Sequence, residues 1–72
     1  MRLDLTTLNL VLAIFETHSI TRGAEREHLA LAAASKRVSD LEARLGVQLF
    51  ERRARGVEPT EACRALVRHI RS

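Results

Sequence analysis

The side chains best suited to recognising another molecule are hydrogen-bond donors from residue 35 onwards. Ser35, Lys36 and Ser39 follow the alanine-rich start of "LALAAASKRVSDLE", and three arginines crowd "RRARG", residues 52–56. Hydroxyl, ammonium and guanidinium groups donate hydrogen bonds to phosphate oxygens and to base edges. The two segments therefore predict contact with a polyanion, provided that the fold brings them to one surface.

Basic charge is concentrated where these segments lie. The 72 residues carry a net charge of +3, and residues 36–72 hold nine of the twelve Lys and Arg side chains. That half has a net charge of +4, against −1 for residues 1–35. The asymmetry is typical of a domain that presents one basic side to nucleic acid.

The sequence gives little support to catalysis or metal binding. His18, His28 and His69 fall on separate predicted helices, without the spacing of zinc ligands or of a catalytic triad. The lone Cys63 excludes an internal disulfide and a cysteine-rich zinc site, and we interpret it as a small helix residue. We expect no enzymatic activity, no cofactor and no metal.

Size and hydropathy indicate one small domain. A chain of 72 residues that is 46% apolar is able to bury one aliphatic core. No apolar run approaches the roughly 20 residues of a membrane span. Asp4 falls where a signal peptide needs apolar residues. We therefore expect a cytoplasmic protein without membrane contact.

The first helix is predicted within "TTLNLVLAIFETHS", with Thr6 or Thr7 as its N-cap. Spacing of i, i+3, i+4 and i+7 assigns its core stripe to Leu8, Val11, Leu12 and Phe15. Leu10 and Ile14 lie on another face, and a helix that is apolar on two faces needs two partners. We expect a second subunit to cover that face.

Two further helices are predicted before the basic turn. A short one begins after Ser19 in "SITRGAERE", where Gly23 and Ala24 favour close approach of another helix. The next spans about 31–45 and stops at Gly46. Its core stripe consists of Ala34, Val38, Leu41 and Leu45. Its opposite side and flank present Ala32, Ser35, Lys36 and Ser39.

A basic hairpin and a last helix complete the chain. The segment 47–60 loses the helical period, and Gly56 eases a tight turn. This predicts a β-hairpin, or wing, that carries Arg52, Arg53 and Arg55. Thr60 caps a final helix that reaches the end of the chain without a stop signal, as a truncated helix does. The apolar side chains of that helix are Ala62, Leu66, Val67 and Ile70.

This order of elements predicts a mainly α fold, a winged helix-turn-helix with a short β-hairpin wing and a truncated C-terminal helix. The segment from Ser19 to Ala62 resembles the N-terminal DNA-binding region of LysR-type transcriptional regulators. The residues that match the family pattern are Ser19, Thr21, Ala24, Glu25, Leu29, Ser35, Leu41, Glu42, Leu45, Gly46, Leu49, Phe50, Arg52, Thr60, Glu61 and Ala62.

The resemblance implies sequence-specific binding to double-stranded DNA by residues 1–59, with 60–72 as the start of a linker helix. It places the helix at about 31–45 in the major groove and the wing, 52–56, on the backbone and minor groove. The implied DNA-binding residues are Leu31, Ala32, Ser35, Lys36, Ser39, Arg52, Arg53 and Arg55.

The resemblance also implies a homodimer on a two-fold symmetric operator. Dimerisation would use the linker helix, with the first helix helping. The residues expected at that contact are Leu10, Ile14, Ala62, Leu66, Val67 and Ile70. A small-molecule effector would act only through a C-terminal domain beyond this chain.

The chain departs from the family at the start of its third helix. Where Ser-Gln-Pro is common, it has Ala30, Leu31 and Ala32. Ala30 has no oxygen to cap the helix, which costs about 1 kcal/mol. Leu31 replaces an amide, so any base contact there is apolar, for example with a thymine methyl group. These changes concern the target sequence rather than the fold.

A winged-helix module for protein–protein contact is the alternative function. A partner surface favours exposed Leu, Met or aromatic residues on the third helix. The donors Ser35, Lys36 and Ser39 beside an arginine wing favour DNA instead.

Overall fold

Four helices and one antiparallel hairpin make up residues 4–72, the part of the chain that the computed structural model describes. The elements are α1 (Leu5–Thr17), α2 (Ile20–Arg26), α3 (Leu31–Leu45), β1 (Phe50–Arg53), β2 (Gly56–Pro59) and α4 (Glu61–Arg71). The predicted winged helix-turn-helix is confirmed. We expect no signal peptide in the first residues of the chain. Of these, residues 1–3 lie outside the described range. Within that range, every helix is too short or too polar to cross a bilayer.

The core face of α1 differs from the predicted one. Asp4 is the N-cap in place of Thr6 or Thr7, because its Oδ1 accepts a hydrogen bond from the Thr7 N–H at 2.7 Å. That bond holds the pKa of the Asp4 carboxyl below its usual value. Thr7 occupies a buried position, and its hydroxyl is hydrogen-bonded by Arg37 Nη1 at 3.0 Å. The buried stripe continues through Leu10, Val11, Ala13 and Ile14.

Three residues expected at a dimer contact are core residues of a single chain. Leu10 and Ile14 are 0% exposed, and Val67 is 2% exposed. The prediction for them was wrong, because their side chains offer no surface to a second subunit. The predicted core stripe starts one residue too late, at Leu8. The buried stripe starts at Thr7, whose polar side chain gave no sign of a core position. Leu8, Leu12 and Phe15 are only half-buried on the neighbouring face.

The helix-turn-helix is formed as the sequence predicts. The Ser19 hydroxyl caps α2 by accepting a hydrogen bond from the Arg22 N–H at 3.1 Å. Gly23 packs on α1 so closely that a β-carbon there would lie 2.5 Å from Ile14 Cγ1. Residues 27–30 then reverse the chain, and the Leu29 N–H donates to the Ala24 carbonyl at 2.8 Å.

The bounds of α3 match the prediction. Gly46 ends the helix with a left-handed φ of 70°, which a residue without a β-carbon adopts at low cost. Ala30 precedes it without any side-chain cap bond. The core face consists of the buried Ala34, Val38 and Leu41 and the half-buried Leu45.

A carboxylate inside α3 organises the connection to the hairpin. Glu42 Oε2 accepts hydrogen bonds from the N–H groups of Leu49 at 2.7 Å and Phe50 at 3.2 Å. Thr60 caps α4 by accepting from the Cys63 N–H at 3.2 Å, as predicted, and its own hydroxyl donates to the Gln48 carbonyl at 2.6 Å. These bonds attach both ends of the hairpin to the helical core.

Candidate nucleic-acid interface

The exposed side of α3 carries the donors that the sequence singled out. Lys36 and Ser39 are exposed, Ser35 is half-buried, and the core face lies on the opposite side of the helix. Ala32 is also exposed, one turn before Lys36. Small side chains there allow the helix backbone to approach a surface closely. The predicted helical phase of α3 is therefore confirmed.

Lys36 forms an ion pair with an acidic neighbour on the same helix. Its Nζ lies 3.0 Å from Asp40 Oδ2, one turn further along α3. Both side chains are largely exposed, so the pair contributes little to stability. Any acceptor that approaches Lys36 has to compete with Asp40 for the ammonium group.

The hairpin presents three exposed arginines in different settings. Arg52 and Arg53 lie on β1, opposite Val57 and Gly56. Arg53 Nη2 is 2.9 Å from Glu51 Oε2, whereas Arg52 and Arg55 have no ion-pair partner within residues 4–72. Arg55 is at the tip, in the two-residue turn. The hairpin therefore carries two guanidinium groups that are free to bind an anion.

The wing is fixed to the junction between α1 and α2. The Val57 N–H donates to the His18 carbonyl at 3.0 Å, and His18 itself ends α1 with a left-handed φ of 56°. Gly56 has a φ of 126°, and a β-carbon at that position would overlap the His18 carbonyl oxygen. On the surface, His18 Nδ1 lies 3.7 Å from Glu58 Oε1. The turn end of the wing thus has a defined position relative to the helix-turn-helix.

One open groove joins the two predicted segments. Its walls come from the start of α2, the start of α3 and the hairpin. The residues that line it are Ser19, Ile20, Thr21, Leu31, Ser35, Arg52, Arg53, Gly56 and Val57. Ala32, Lys36, Ser39 and Arg55 lie outside this lining, on the adjoining exposed face of α3 and at the wing tip.

Thr21 is a candidate site residue that the sequence interpretation did not select. It is exposed in the first turn of α2 and borders the groove together with Arg52. Its position among the residues matching the family pattern was the available signal. Sequence spacing alone does not reveal that the first turn of α2 faces the wing, because the two lie about thirty residues apart.

The remaining reactive side chains do not form a second site. Within residues 4–72, no group of three His, Cys, Asp or Glu side chains is arranged to hold a metal ion. His18, His28 and His69 are exposed on separate parts of the chain. Cys63 is a free, buried thiol, and burial raises its pKa to about 11, so the thiolate is scarce at neutral pH. The interpretation of Cys63 as a small helix residue is confirmed.

Comparison with known sequences identifies the family. The model of bacterial regulatory helix-turn-helix proteins of the lysR family matches residues 5–64. The HTH-type transcriptional regulator in the ibpB-leuC intergenic region of Azotobacter vinelandii is 48% identical over 65 residues, which are 90% of this chain and 45% of that protein. The HTH-type transcriptional regulator GbpR of Azospirillum brasilense is 44% identical over 71 residues, which are 99% of this chain and 21% of that protein. The chain thus spans less than half of either relative.

Comparison with solved structures gives the same result. The crystal structure of the CbnR_DBD–DNA complex superposes with a TM-score of 0.89 at 32% identity, over 96% of this chain and 79% of that one. The likeness covers nearly the whole described chain and includes both the helix-turn-helix and the wing.

Proposed function

This chain belongs to the lysR family of bacterial regulatory helix-turn-helix proteins as a DNA-binding domain, and on that basis we propose that it reads the sequence of double-stranded DNA. The observation that carries the proposal is the shared groove. Leu31 and Ser35 of α3 border it together with Arg52 and Arg53 of the wing. One duplex is therefore able to contact the recognition helix and the basic hairpin at once.

Helix α3 is assigned to the major groove. Lys36 and Ser39 project from the side opposite the core, where they reach base edges or the neighbouring phosphates. The exposed Ala32 and the half-buried Ser35 lie nearer the start of the helix and let its backbone approach the bases. Leu31 is the one large apolar side chain exposed on α3, so this face suits DNA better than an apolar protein partner.

The wing is assigned to the DNA backbone and minor groove. Arg52 and Arg53 form the half of β1 next to the turn, border the groove together with the start of α3, and suit phosphate contacts. Arg55 is exposed in the two-residue turn at the tip. A tip arginine reaches the narrow minor groove beside the recognition helix.

We further propose that the chain acts as part of a larger, dimeric regulator in the cytoplasm. Residues 1–59 bind DNA, and residues 60–72 begin a linker helix through which two copies pair on a two-fold symmetric operator. Recognition helices of such a pair enter successive major grooves roughly 34 Å apart. The half-buried Ala62, Leu66 and Ile70 remain available for the contact between copies. A small-molecule effector would bind a further domain, and the relatives, being transcriptional regulators, suggest no catalytic step.

Salt-dependent binding tests the proposal. Lys36 and Arg52 replace counterions on phosphates. The logarithm of the affinity for duplex DNA should therefore fall linearly with the logarithm of the salt concentration. Lys36→Ala and Arg52→Ala should each weaken binding and reduce the slope by about one unit. Arg68→Ala removes a positive charge from the exposed face of α4, outside the groove, and serves as the control.

Fluorescence anisotropy with labelled duplexes at several salt concentrations measures the affinity of the parent chain and of the three variants. Binding that is independent of salt, or variants of Lys36 and Arg52 that behave like Arg68→Ala, would contradict the proposed interface.

A further inference from the structure

Leu31 is an exposed leucine in a basic and hydroxyl-rich setting. Among residues 4–72, the large apolar side chains classed as exposed are Leu5, Leu31 and Val47, and Leu31 is 50% exposed. Leu5 opens α1 and Val47 follows α3, whereas Leu31 is the first residue of α3 and borders the groove. A half-exposed leucine there contributes little to the core of the domain. Its side chain is accessible to a molecule that binds in the groove.

The neighbours of Leu31 leave it accessible. Ala30, Ala32 and Ala33 are all exposed and have the smallest side chains after glycine. No side-chain cap covers the start of the helix, since Ala30 makes no such bond. A ligand that approaches the first turn of α3 therefore meets the leucine without a polar side chain of that turn in between.

The geometry points to a contact between Leu31 and the methyl group of thymine. This inference rests on the proposed function, in which α3 enters the major groove. The C5-methyl of thymine is the apolar group that an unmodified base pair displays in that groove, whereas the other base edges present donors and acceptors. A leucine gains little from those polar edges, so thymine opposite Leu31 gives the most stable complex.

The position of this thymine relative to the rest of the site follows from two rows on α3. Leu31 and Ser35 are one turn apart and both border the groove beside Arg52. Ala32, Lys36 and Ser39 form the neighbouring row outside the groove. The thymine read by Leu31 should therefore lie on the wing side of the position that Lys36 contacts.

The decisive probe is a thymine that lacks only its methyl group. Binding sites are first selected from a random duplex library with the unaltered chain, and each selected thymine is then replaced, one at a time, by deoxyuridine. Base pairing is kept while one methyl is lost. At one position on the wing side of each half-site, affinity should fall about fourfold, which corresponds to roughly one buried CH₂ group.

Variants identify the residue that makes the contact. Leu31→Ala should bind thymine and deoxyuridine duplexes equally at that position, and Leu31→Gln should shift the selected base towards adenine, whose N6 and N7 pair with an amide. Leu5→Ala, an equal change at another exposed leucine, should keep the full sensitivity to deoxyuridine. Because Leu31 is half exposed, its variants should retain the melting temperature of the parent to within a few degrees.

The outcomes separate this inference from the function on which it rests. If the unaltered chain binds every deoxyuridine duplex as tightly as its thymine counterpart, the Leu31 contact is wrong while DNA binding stands. Unchanged sensitivity in Leu31→Ala has the same meaning. If no duplex is bound in a salt-dependent way, it is the proposed function that fails.

Discussion

Two single side chains show that residue type does not determine burial in this fold. Thr7 lies on the core face of α1 because Arg37 hydrogen-bonds its hydroxyl, so a polar residue occupies a position that the sequence pattern reserves for an apolar one. Leu31 shows the converse, an apolar residue on the exposed side of α3. Residue type alone predicts neither position.

At the wing tip, Arg55 should distinguish two kinds of flanking DNA. A·T-rich minor grooves are narrow and have the most negative potential, so an arginine inserted there gains more than one on the backbone. Arg55→Ala should therefore lose more affinity for half-sites flanked by A·T pairs than for the same half-sites flanked by G·C pairs. Competition binding on paired duplexes that differ only in their flanks measures this.

Arg53→Ala is the matched control, since Arg53 lies on β1, borders the groove and already pairs with Glu51. It should lose affinity equally on both flanks. Equal losses for Arg55→Ala as well would leave Arg55 as a phosphate contact, with a drop in the salt slope of roughly one unit.

Among the elements, the connection between α3 and β1 depends on one carboxylate. Glu42 accepts hydrogen bonds from the N–H groups of Leu49 and Phe50, both of which are buried residues. Hydrogen bonds to a charged acceptor are worth more than neutral ones, and their loss leaves two N–H groups without that partner. The position of the wing beside α3 therefore depends on Glu42.

Glu42→Ala should lower the free energy of unfolding by about 2 kcal/mol. Glu42→Gln keeps an acceptor oxygen and should lose less. Urea denaturation followed by circular dichroism measures both, with Glu25→Ala as a control at an exposed helical position, where we expect a change within about 0.5 kcal/mol. A Glu42→Ala variant as stable as the control would show that the two hydrogen bonds do not hold the connection.

For the whole molecule, the last turn of α4 lies against α1. Arg71 Nη2 lies 2.7 Å from Glu16 Oε2 and its guanidinium carbon is 5.6 Å from the centre of the Phe15 ring. Glu16 also accepts from Arg26 of α2 at 2.6 Å. These groups are about half exposed, so the contacts add little to the stability of the fold. The half-buried face of α4 is then available to a second copy.

Leu66→Asp tests that face. If Ala62, Leu66 and Ile70 pair two copies, a carboxylate at position 66 should shift the monomer–dimer equilibrium towards monomer by at least tenfold in the dissociation constant, because an unpaired charge is costly at an apolar contact. Analytical ultracentrifugation over a range of concentrations measures the equilibrium. Ala65→Asp adds the same charge at an exposed position of α4 and should have a smaller effect.

Thermal melting shows whether Leu66→Asp is still folded, since Leu66 packs partly on the core. A parent chain that stays monomeric at every concentration, or a folded Leu66→Asp that dimerises as well as the parent, would contradict this interface.

Local chemistry was sufficient to predict much of this protein from its sequence. Ser19 and Thr60 cap their helices, Gly46 ends α3, and the apolar period of α3 assigns its core and exposed faces correctly. Each of these features depends on residues within a turn or two of one another. The resemblance to the family, which is confirmed, came from the same local segments in fixed order.

Features that depend on distant residues were not predictable in this way. Which face of α1 is buried depends on Arg37, and the connection after α3 depends on Glu42. The position of the wing depends on the His18 carbonyl. Which face of a helix is buried, and which side chains border one groove, is decided by packing between segments far apart in the chain. Burial free energy acts on the assembled surface, so periodicity within one helix does not determine it.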